Sequence, residues 1–119
     1  MVVVGPIVGS LISQFVEMEV AVRPDVWVVS ELPLNKIPEQ FLVSLERSGW
    51  VFVLEEHVVS GGVGQMLAHR LLEIGESPKR FTHRCARGYV SGLYGSQMFH
   101  RRECGLDPES IIREVAQQT

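Results

Sequence analysis

Hydrophobic residues in this chain form short continuous runs that alternate with stripes at helical spacing. Short continuous runs of three to five apolar residues are typical of strands buried on both faces of a parallel sheet. Three runs are of this kind: residues 2–4, 26–29 and 50–54. Apolar residues that recur every three or four positions predict amphipathic helices between and after them. Helices are predicted over residues 7–20, between Pro38 and Gly49, over residues 63–74 and from Pro108 onward.

The segment from Gly49 to Ile74 is the central unit of the pattern. A buried strand ends in Glu55-Glu56-His57, a glycine turn follows, and an amphipathic helix begins at Val63. A strand that leads through a glycine turn into a helix is the building unit of parallel α/β sheets.

The remainder of the chain gives weaker signals. A strand at or near a sheet edge is predicted over residues 79–83, a loop over 85–95 and a short helix over 96–103. The order of elements is therefore βαβαβαβ followed by terminal helices. It predicts one α/β domain over residues 1–119, with three α/β/α layers and a mostly parallel sheet of four to five strands.

Composition places the chain among ordinary globular domains. It is 45% hydrophobic and 21% charged, and its net charge of −3 gives no general case for nucleic-acid or membrane binding. Cys85 and Cys104 are expected to be reduced thiols, as in cytoplasmic proteins. The first residues lack the basic start of a signal peptide, and Gly5-Pro6 interrupts their apolar run. We therefore expect a cytoplasmic protein without a membrane span.

The glycine turn between the central strand and helix is a candidate anion site. Free N–H groups and the helix dipole at this position could hold a phosphate. Gly61, Gly62 and Gly64 nevertheless fit neither the dinucleotide-binding fingerprint nor a P-loop. The simpler interpretation, which we favour, is that they permit a tight turn and close packing of the helix on the sheet.

Three polar residues mark the carboxyl end of the central strand, where α/β sheets bind ligands. Glu55, Glu56 and His57 could in principle perform acid–base chemistry. Adjacent strand residues point to opposite faces, however, so the two carboxylates are not expected to share a site. A structural or interface role, such as capping a helix, is the favoured interpretation.

Two further groups of residues have chemical potential. Six of the 11 basic side chains lie between residues 77 and 102, where there is no Asp or Glu. They could face a phosphate, an acidic partner or, as a minor alternative, a nucleic acid. They are Lys79, Arg80, Arg84, Arg87, Arg101 and Arg102. The pairs His83/Cys85 and His100/Cys104 lack the spacing of common zinc motifs, so a metal site is not expected.

Taken in order, several motifs resemble the C-terminal domain of the transketolase superfamily. They are Gly5-Pro6-Ile7-Val8, the strand before Glu55-Glu56-His57, Gly61-Gly62-Val63-Gly64, Tyr94-Gly95-Ser96, and Gly105-Leu106-Asp107-Pro108 with Ile111. Together they cover nearly the whole chain. Gln97 stands where many members have glycine, and the antiparallel strand that usually precedes the first strand of the family is not represented.

The resemblance implies a three-layer domain that contributes no cofactor ligand. In that family, thiamine diphosphate and magnesium are bound by two other domains, and the C-terminal domain serves in dimer or subunit assembly. The expected partner is therefore the remainder of such an enzyme, as further domains or a separate subunit, with a homodimer as an option. On this basis no residue is assigned as catalytic. The structural or interface candidates are Glu55, Glu56, His57, Gly61, Gly62, Gly64, Tyr94, Gly95 and Ser96.

Two alternatives stay open from the residues themselves. One is a freestanding phosphate- or nucleotide-binding module that uses the helix start at residues 61–64 and the basic residues between Arg80 and Arg102. The other is a small acid–base enzyme that uses Glu56 and His57.

Overall fold

The computed structural model describes residues 1–117, so the last two residues of the predicted domain lie outside the described part. Four strands form the sheet: β1 (Val2–Val4), β2 (Trp27–Val29), β3 (Trp50–Val58) and β4 (Arg80–Ala86). The helices are α1 (Ile12–Glu17), α2 (Glu39–Ser48), α3 (Val63–Glu73), α4 (Gln97–Cys104) and α5 (Pro108–Gln117), and a 3-10 helix spans Pro6–Ser10.

All the strand pairings of the sheet are parallel, in the order β2-β1-β3-β4. Val2 of β1 lies opposite Trp27 on one side and Val53 on the other. The predicted α/β class and the predominantly parallel sheet are confirmed. The chain leaves β1 toward β2 but leaves β3 toward β4, so the direction of winding switches between the two central strands.

The alternation of side chains along β3 divides the core into two layers. Phe52 and Leu54 face the 3-10 helix, α1, α4 and α5, whereas Val51 and Val53 face α2 and α3. Each layer buries apolar side chains of its helices against the sheet, such as Ile111 on one face and Leu71 on the other. Because the direction of winding switches within the sheet, right-handed crossovers place helices on both of its faces.

Two predictions about the strands need correction. The central strand does not end at Leu54 but continues to Val58, with an irregularity in its pairing to β4 between Leu54 and Val58. Polar residues can extend a strand when each finds a partner, as Glu55 and Glu56 do. β2 is not a buried inner strand, because it is an edge of the sheet and Val28 is exposed.

The predicted helix over residues 7–20 is also wrong in extent. The chain forms a 3-10 helix up to Ser10, whose hydroxyl donates to the carbonyl of Ile7 at 2.7 Å, and then the short helix α1. Hydroxyl bonds of this kind compete with regular helix formation. α1 ends at Glu17, because the backbone of the next residue, Met18, is extended. The apolar residues keep helical spacing through both the 3-10 helix and α1, so the sequence pattern does not indicate the boundary between them.

The other helices begin and end close to the predicted residues. α2 follows Pro38 and ends at Gly49, which has the left-handed backbone that favours glycine. Asp107 caps α5, since its carboxylate accepts from the N–H and hydroxyl of Ser110.

Within residues 1–117 there is no helix that combines the length and apolar character needed to cross a bilayer. The predicted loop begins after Ala86, because β4 includes Cys85 and Ala86.

Candidate functional site

Glu55 lies at the carboxyl end of the central strand and is only 1% exposed. It follows Val51 and Val53 in the alternation of β3, which directs it toward α3. Its two carboxylate oxygens accept hydrogen bonds from the backbone N–H groups of Val63 at 2.8 Å and Gly64 at 3.0 Å. These amides belong to the first turn of α3, where an anion is stabilised by the helix dipole. Glu55 is therefore the anion at the start of α3.

The imidazole of His83 provides a third contact to this carboxylate. His83 lies on β4, whose backbone pairs with β3, and its Nε2 is 2.5 Å from Oε1 of Glu55. An ionised carboxylate can only accept, so Nε2 of His83 must carry the hydrogen of this bond. The side chain of His83 is 13% exposed, which makes the pair largely enclosed.

Backbone conformation explains one glycine of the turn, and this close contact explains the other two. Gly61 has a φ of 76°, which a side chain would make strained. A Cβ atom at Gly62 would lie 2.5 Å from Oε1 of Glu55, and one at Gly64 would lie 2.5 Å from Nε2 of His83. The start of α3 can approach the Glu55–His83 pair only because Gly62 and Gly64 lack side chains. We call this arrangement of Glu55, His83 and the turn the α3 joint.

Glu56 points to the other face of the sheet and contacts α4. Its carboxylate accepts from Nε of Arg101 at 2.6 Å and from Nη2 at 3.1 Å, and the amide of Gln97 adds a contact at 3.2 Å. The hydrogen bond from Arg101 lowers the pKa of Glu56, and the same bond raises the pKa of the Arg101 guanidinium. This pair ties the end of β3 to α4, and its members remain charged at neutral pH.

His57 does not join either carboxylate in an acid–base pair. Its side chain is exposed, and its Nδ1 lies 2.7 Å from the carbonyl oxygen of Val58. Glu55 and Glu56 have separate partners on opposite faces of the sheet. The arrangement gives the hypothesis of a Glu56–His57 acid–base enzyme no geometric support.

The basic residues between Arg80 and Arg102 do not form one open cationic surface. Arg84 makes a bidentate ion pair with Glu114 of α5, and Arg101 is paired with Glu56. The guanidinium of Arg80 stacks 4.5 Å from the ring centre of Trp50, at the amino end of β3 and β4 and so at the opposite end of the sheet from the glycine turn. Most of these charges are thus committed within the domain. A phosphate site built from them together with residues 61–64 receives little support, because Glu55 already occupies the amides of α3.

The cysteine and histidine residues were also candidates for metal binding. Cys104 is buried, and its sulfur accepts from the N–H of Arg87 at 3.3 Å. Burial raises the pKa of the Cys85 thiol, and the nearby Glu55 carboxylate raises it further. Across residues 1–117, no three His, Cys, Asp or Glu side chains are grouped so that they could hold a metal ion.

The remaining candidates, Tyr94, Gly95 and Ser96, lie immediately before α4. The hydroxyl of Ser96 accepts from the N–H of Phe99 at 3.2 Å and so caps the helix. The N–H of Gly95 donates to Nε2 of His100 at 3.3 Å. Tyr94 is exposed, and its ring centre is 4.8 Å from that of Tyr89.

Comparison with known proteins adds no relative: no family model, no curated protein and no solved structure matches this chain.

The two partners that define the site were not identified from the sequence. The sequence pattern relates His83 only to its neighbour Cys85, and Arg101 only to the other basic residues of the segment. The alternation along β3 does assign Glu55 and Glu56 to different faces. The pairing of β4 with β3 could have suggested His83, but only once the register of the two strands was known.

Proposed function

We propose that this chain is the non-catalytic C-terminal domain of a transketolase-like, thiamine diphosphate-dependent enzyme that transfers two-carbon ketol units. Its task is assembly with the parts of the enzyme that bind the cofactor. The observation that carries the proposal is the α3 joint. The segment with the strongest resemblance to that family folds as a closed structural contact at the carboxyl edge of a parallel sheet.

The α3 joint supports a structural role because its polar groups are already engaged. Both oxygens of Glu55 accept hydrogen bonds from the first turn of α3, and Glu56 is bound by Arg101. A substrate or a pyrophosphate at this edge would have to displace these bonds. Removing the partners of a buried carboxylate is costly, on the order of 3 kcal/mol or more. This edge is therefore better suited to hold elements together than to bind a ligand.

The architecture is compatible with the proposal. The family resemblance implies three layers and a mostly parallel sheet, and the chain has four parallel strands with helices on both faces. The antiparallel strand implied by the resemblance would add to an edge of this sheet. β2 and β4 are the two edges, and β2 is short and half-exposed.

In the complete enzyme, thiamine diphosphate would supply the stabilised carbanion needed for ketol transfer. The proposal assigns its pyrophosphate and magnesium contacts to other domains or to a separate subunit. The residues of this chain hold the sheet, α3 and α4 in a fixed arrangement, on which those parts can assemble.

The proposal is tested by two measurements on the full chain. Titration calorimetry with thiamine diphosphate and Mg²⁺ should give no binding heat for the chain alone. A tagged copy expressed in the native cells should retain a polypeptide that contains thiamine diphosphate, identified by cofactor assay and mass spectrometry. Tight, magnesium-dependent binding by the chain alone, or the lack of any such polypeptide, would contradict the proposal.

The phosphate-binding alternative predicts a different result. A freestanding phosphate or nucleotide binder should show amide chemical-shift changes centred on residues 62–65 when phosphate or nucleotide is added at low concentration. The assembly domain should show none, since the N–H groups of Val63 and Gly64 are held by Glu55.

A further inference from the structure

The loop between β4 and α4 carries a group of exposed apolar side chains. Every residue from Arg87 to Met98 is exposed. The end of β3 lies nearby, since Val58 pairs with Ala86, the last residue of β4. We call the exposed apolar residues of these two segments the loop patch: Val58, Val59, Tyr89, Val90, Leu93, Tyr94 and Met98. Exposed apolar side chains gathered at one edge of a domain are a candidate interaction surface.

The loop patch is ordered by local contacts although it is not buried. The Tyr89 and Tyr94 rings pack with their centres 4.8 Å apart, and Tyr89 contacts the ring of His100 at 5.3 Å. The N–H of Gly92 donates to the carbonyl of Tyr89 at 3.0 Å, which closes a turn. A surface that is ordered before binding loses less conformational entropy when a partner arrives.

The base of the loop is fixed to the sheet. Gln97 and Arg101 of α4 both bind the carboxylate of Glu56, which lies two residues before Val58 on β3. These contacts hold the start of α4 beside the end of β3, so that the apolar residues of both segments belong to one edge of the domain. That edge is the carboxyl end of the sheet.

The segment that carries most of the loop patch is positively charged, although the whole chain has a net charge of −3. No Asp or Glu occurs between residues 77 and 102. Arg87 lies at the start of the exposed loop and Arg102 lies on α4, and both are exposed. The nearest acidic residue on the strand, Glu56, is neutralised by Arg101. A complementary surface would therefore have an apolar centre with carboxylates at its rim.

We propose that the loop patch is the surface by which this domain docks onto the cofactor-binding part of the enzyme, and that the partner surface is apolar with an acidic rim. This inference rests on the proposed function and adds to it the position and chemistry of the contact. Tyr89, Leu93 and Tyr94 are the central anchors, since large apolar and aromatic residues carry most of the binding energy in such interfaces.

The experiment compares two leucine substitutions of matched chemistry. Leu93→Asp alters the loop patch, whereas Leu72→Asp alters an exposed leucine on α3, and the two side chains are 62% and 70% exposed. Each variant is titrated against the thiamine diphosphate-containing polypeptide that the wild-type chain retains. Leu93→Asp should raise the dissociation constant about 30-fold, the effect of a central interface residue, and Leu72→Asp should leave it unchanged.

A second pair of variants tests the charge. Arg102→Glu should weaken binding and reduce its sensitivity to salt, whereas Arg113→Glu, at an exposed position on α5, should do neither. Circular dichroism and thermal melting establish that all four variants are folded. Tyr94→Ser serves as an additional variant if Leu93→Asp does not fold.

The outcomes separate this inference from the proposed function. If the partner is retained but Leu93→Asp binds as tightly as Leu72→Asp, the docking surface is wrong and the proposed function stands. If the wild-type chain retains no thiamine diphosphate-containing polypeptide, the proposed function fails and this partner with it. If sedimentation equilibrium shows a dimer of the chain alone that Leu93→Asp dissociates, the occupant is a second copy and the stated partner is wrong.

Discussion

At the scale of single residues, the burial of one carboxylate decides how α3 begins. Glu55 follows an apolar run and is as enclosed as the core residues around it. A buried carboxylate without partners would be strongly unfavourable, but Glu55 accepts two backbone N–H groups and the imidazole of His83. The same carboxylate satisfies helix amides that would otherwise be unpaired. Its burial therefore stabilises both the strand end and the helix start.

The contribution of Glu55 can be measured with an isosteric change. Glu55→Gln places an NH₂ group against donors that require an acceptor, so it should lower the free energy of unfolding by about 2 kcal/mol. Glu17→Gln, at an exposed position of α1, should change it little. Urea unfolding followed by circular dichroism measures both. Equal stability of the two variants would show that Glu55 does not hold α3.

The Glu56–Arg101 pair predicts a dependence of stability on pH. The pKa of Glu56 is lowered in the folded chain, chiefly by the hydrogen bond from Arg101. Folding therefore favours the ionised form of Glu56. The stability that the ionised carboxylate contributes is fully present above the ordinary glutamate pKa of about 4.3. It is lost as the pH falls through the lower pKa that Glu56 has in the folded chain. The pair is partly exposed, so its contribution is about 1 kcal/mol.

Thermal melting of the wild-type chain and Glu56→Gln between pH 7 and pH 3 tests this expectation. The wild-type chain should be more stable near neutral pH, and the difference should shrink as Glu56 becomes protonated. Glu17→Gln should show no such trend. A difference that stays constant down to the lowest pH would refute the assignment.

At the scale of elements, the packing of α3 on the sheet depends on a strand that follows it in the chain. The helix start approaches β4 so closely that a Cβ atom at Gly64 would overlap the His83 ring. The close packing of α3 against β3 and β4 therefore depends on the glycines at the helix start and on His83. The sequence pattern predicted the helix, the strand and the turn but not this contact, because periodicity contains no information on neighbours distant in the chain.

Gly64→Ala should destabilise the domain through this overlap, by about 1–3 kcal/mol. The cost should be smaller when His83→Ser is already present, since the ring that obstructs the new methyl group is gone. Gly9→Ala is the matched control, because a Cβ atom there has nothing within 4 Å. A double-mutant cycle from urea unfolding measures the coupling. Additive effects of the two changes would contradict the proposed contact.

At the scale of the whole molecule, the order of strands determines which parts of the sheet are protected. β1 and β3 lie at the centre and are covered by helices on both faces, whereas β2 and β4 are the edges. The amino-terminal strand is therefore a central element although it is only Val2–Val4. The carboxyl edge of the same sheet gathers the α3 joint, the Glu56–Arg101 pair and the loop patch.

Hydrogen exchange should reproduce this arrangement. Amides of Val3, Val53 and Leu54 should be among the slowest to exchange, because their release requires opening of the central sheet, and amides of β2 should exchange faster. NMR-detected exchange measures each site. Protection of β2 equal to that of β3 would indicate that a further element covers this edge.

Much of the fold could be predicted from the sequence because local patterns suffice for it. Valine runs and helical stripes predicted the parallel α/β class and most elements near their observed bounds. The extent of β3 and the division between the 3-10 helix and α1 were missed. In both places a polar side chain makes a hydrogen bond that the spacing of apolar residues cannot predict. Ser10 donates to the carbonyl of Ile7, and Glu56 accepts from Arg101.

The sequence by itself determined that Glu55 and Glu56 face opposite sides of the sheet, because side chains alternate along any strand. It also determined that a helix begins after Gly62. Only the tertiary structure decided that His83 and Arg101 are the partners of these carboxylates, and that the apolar loop after β4 stays exposed. Those facts depend on strand register and helix placement, which arise when segments 28 and 45 residues apart are brought together.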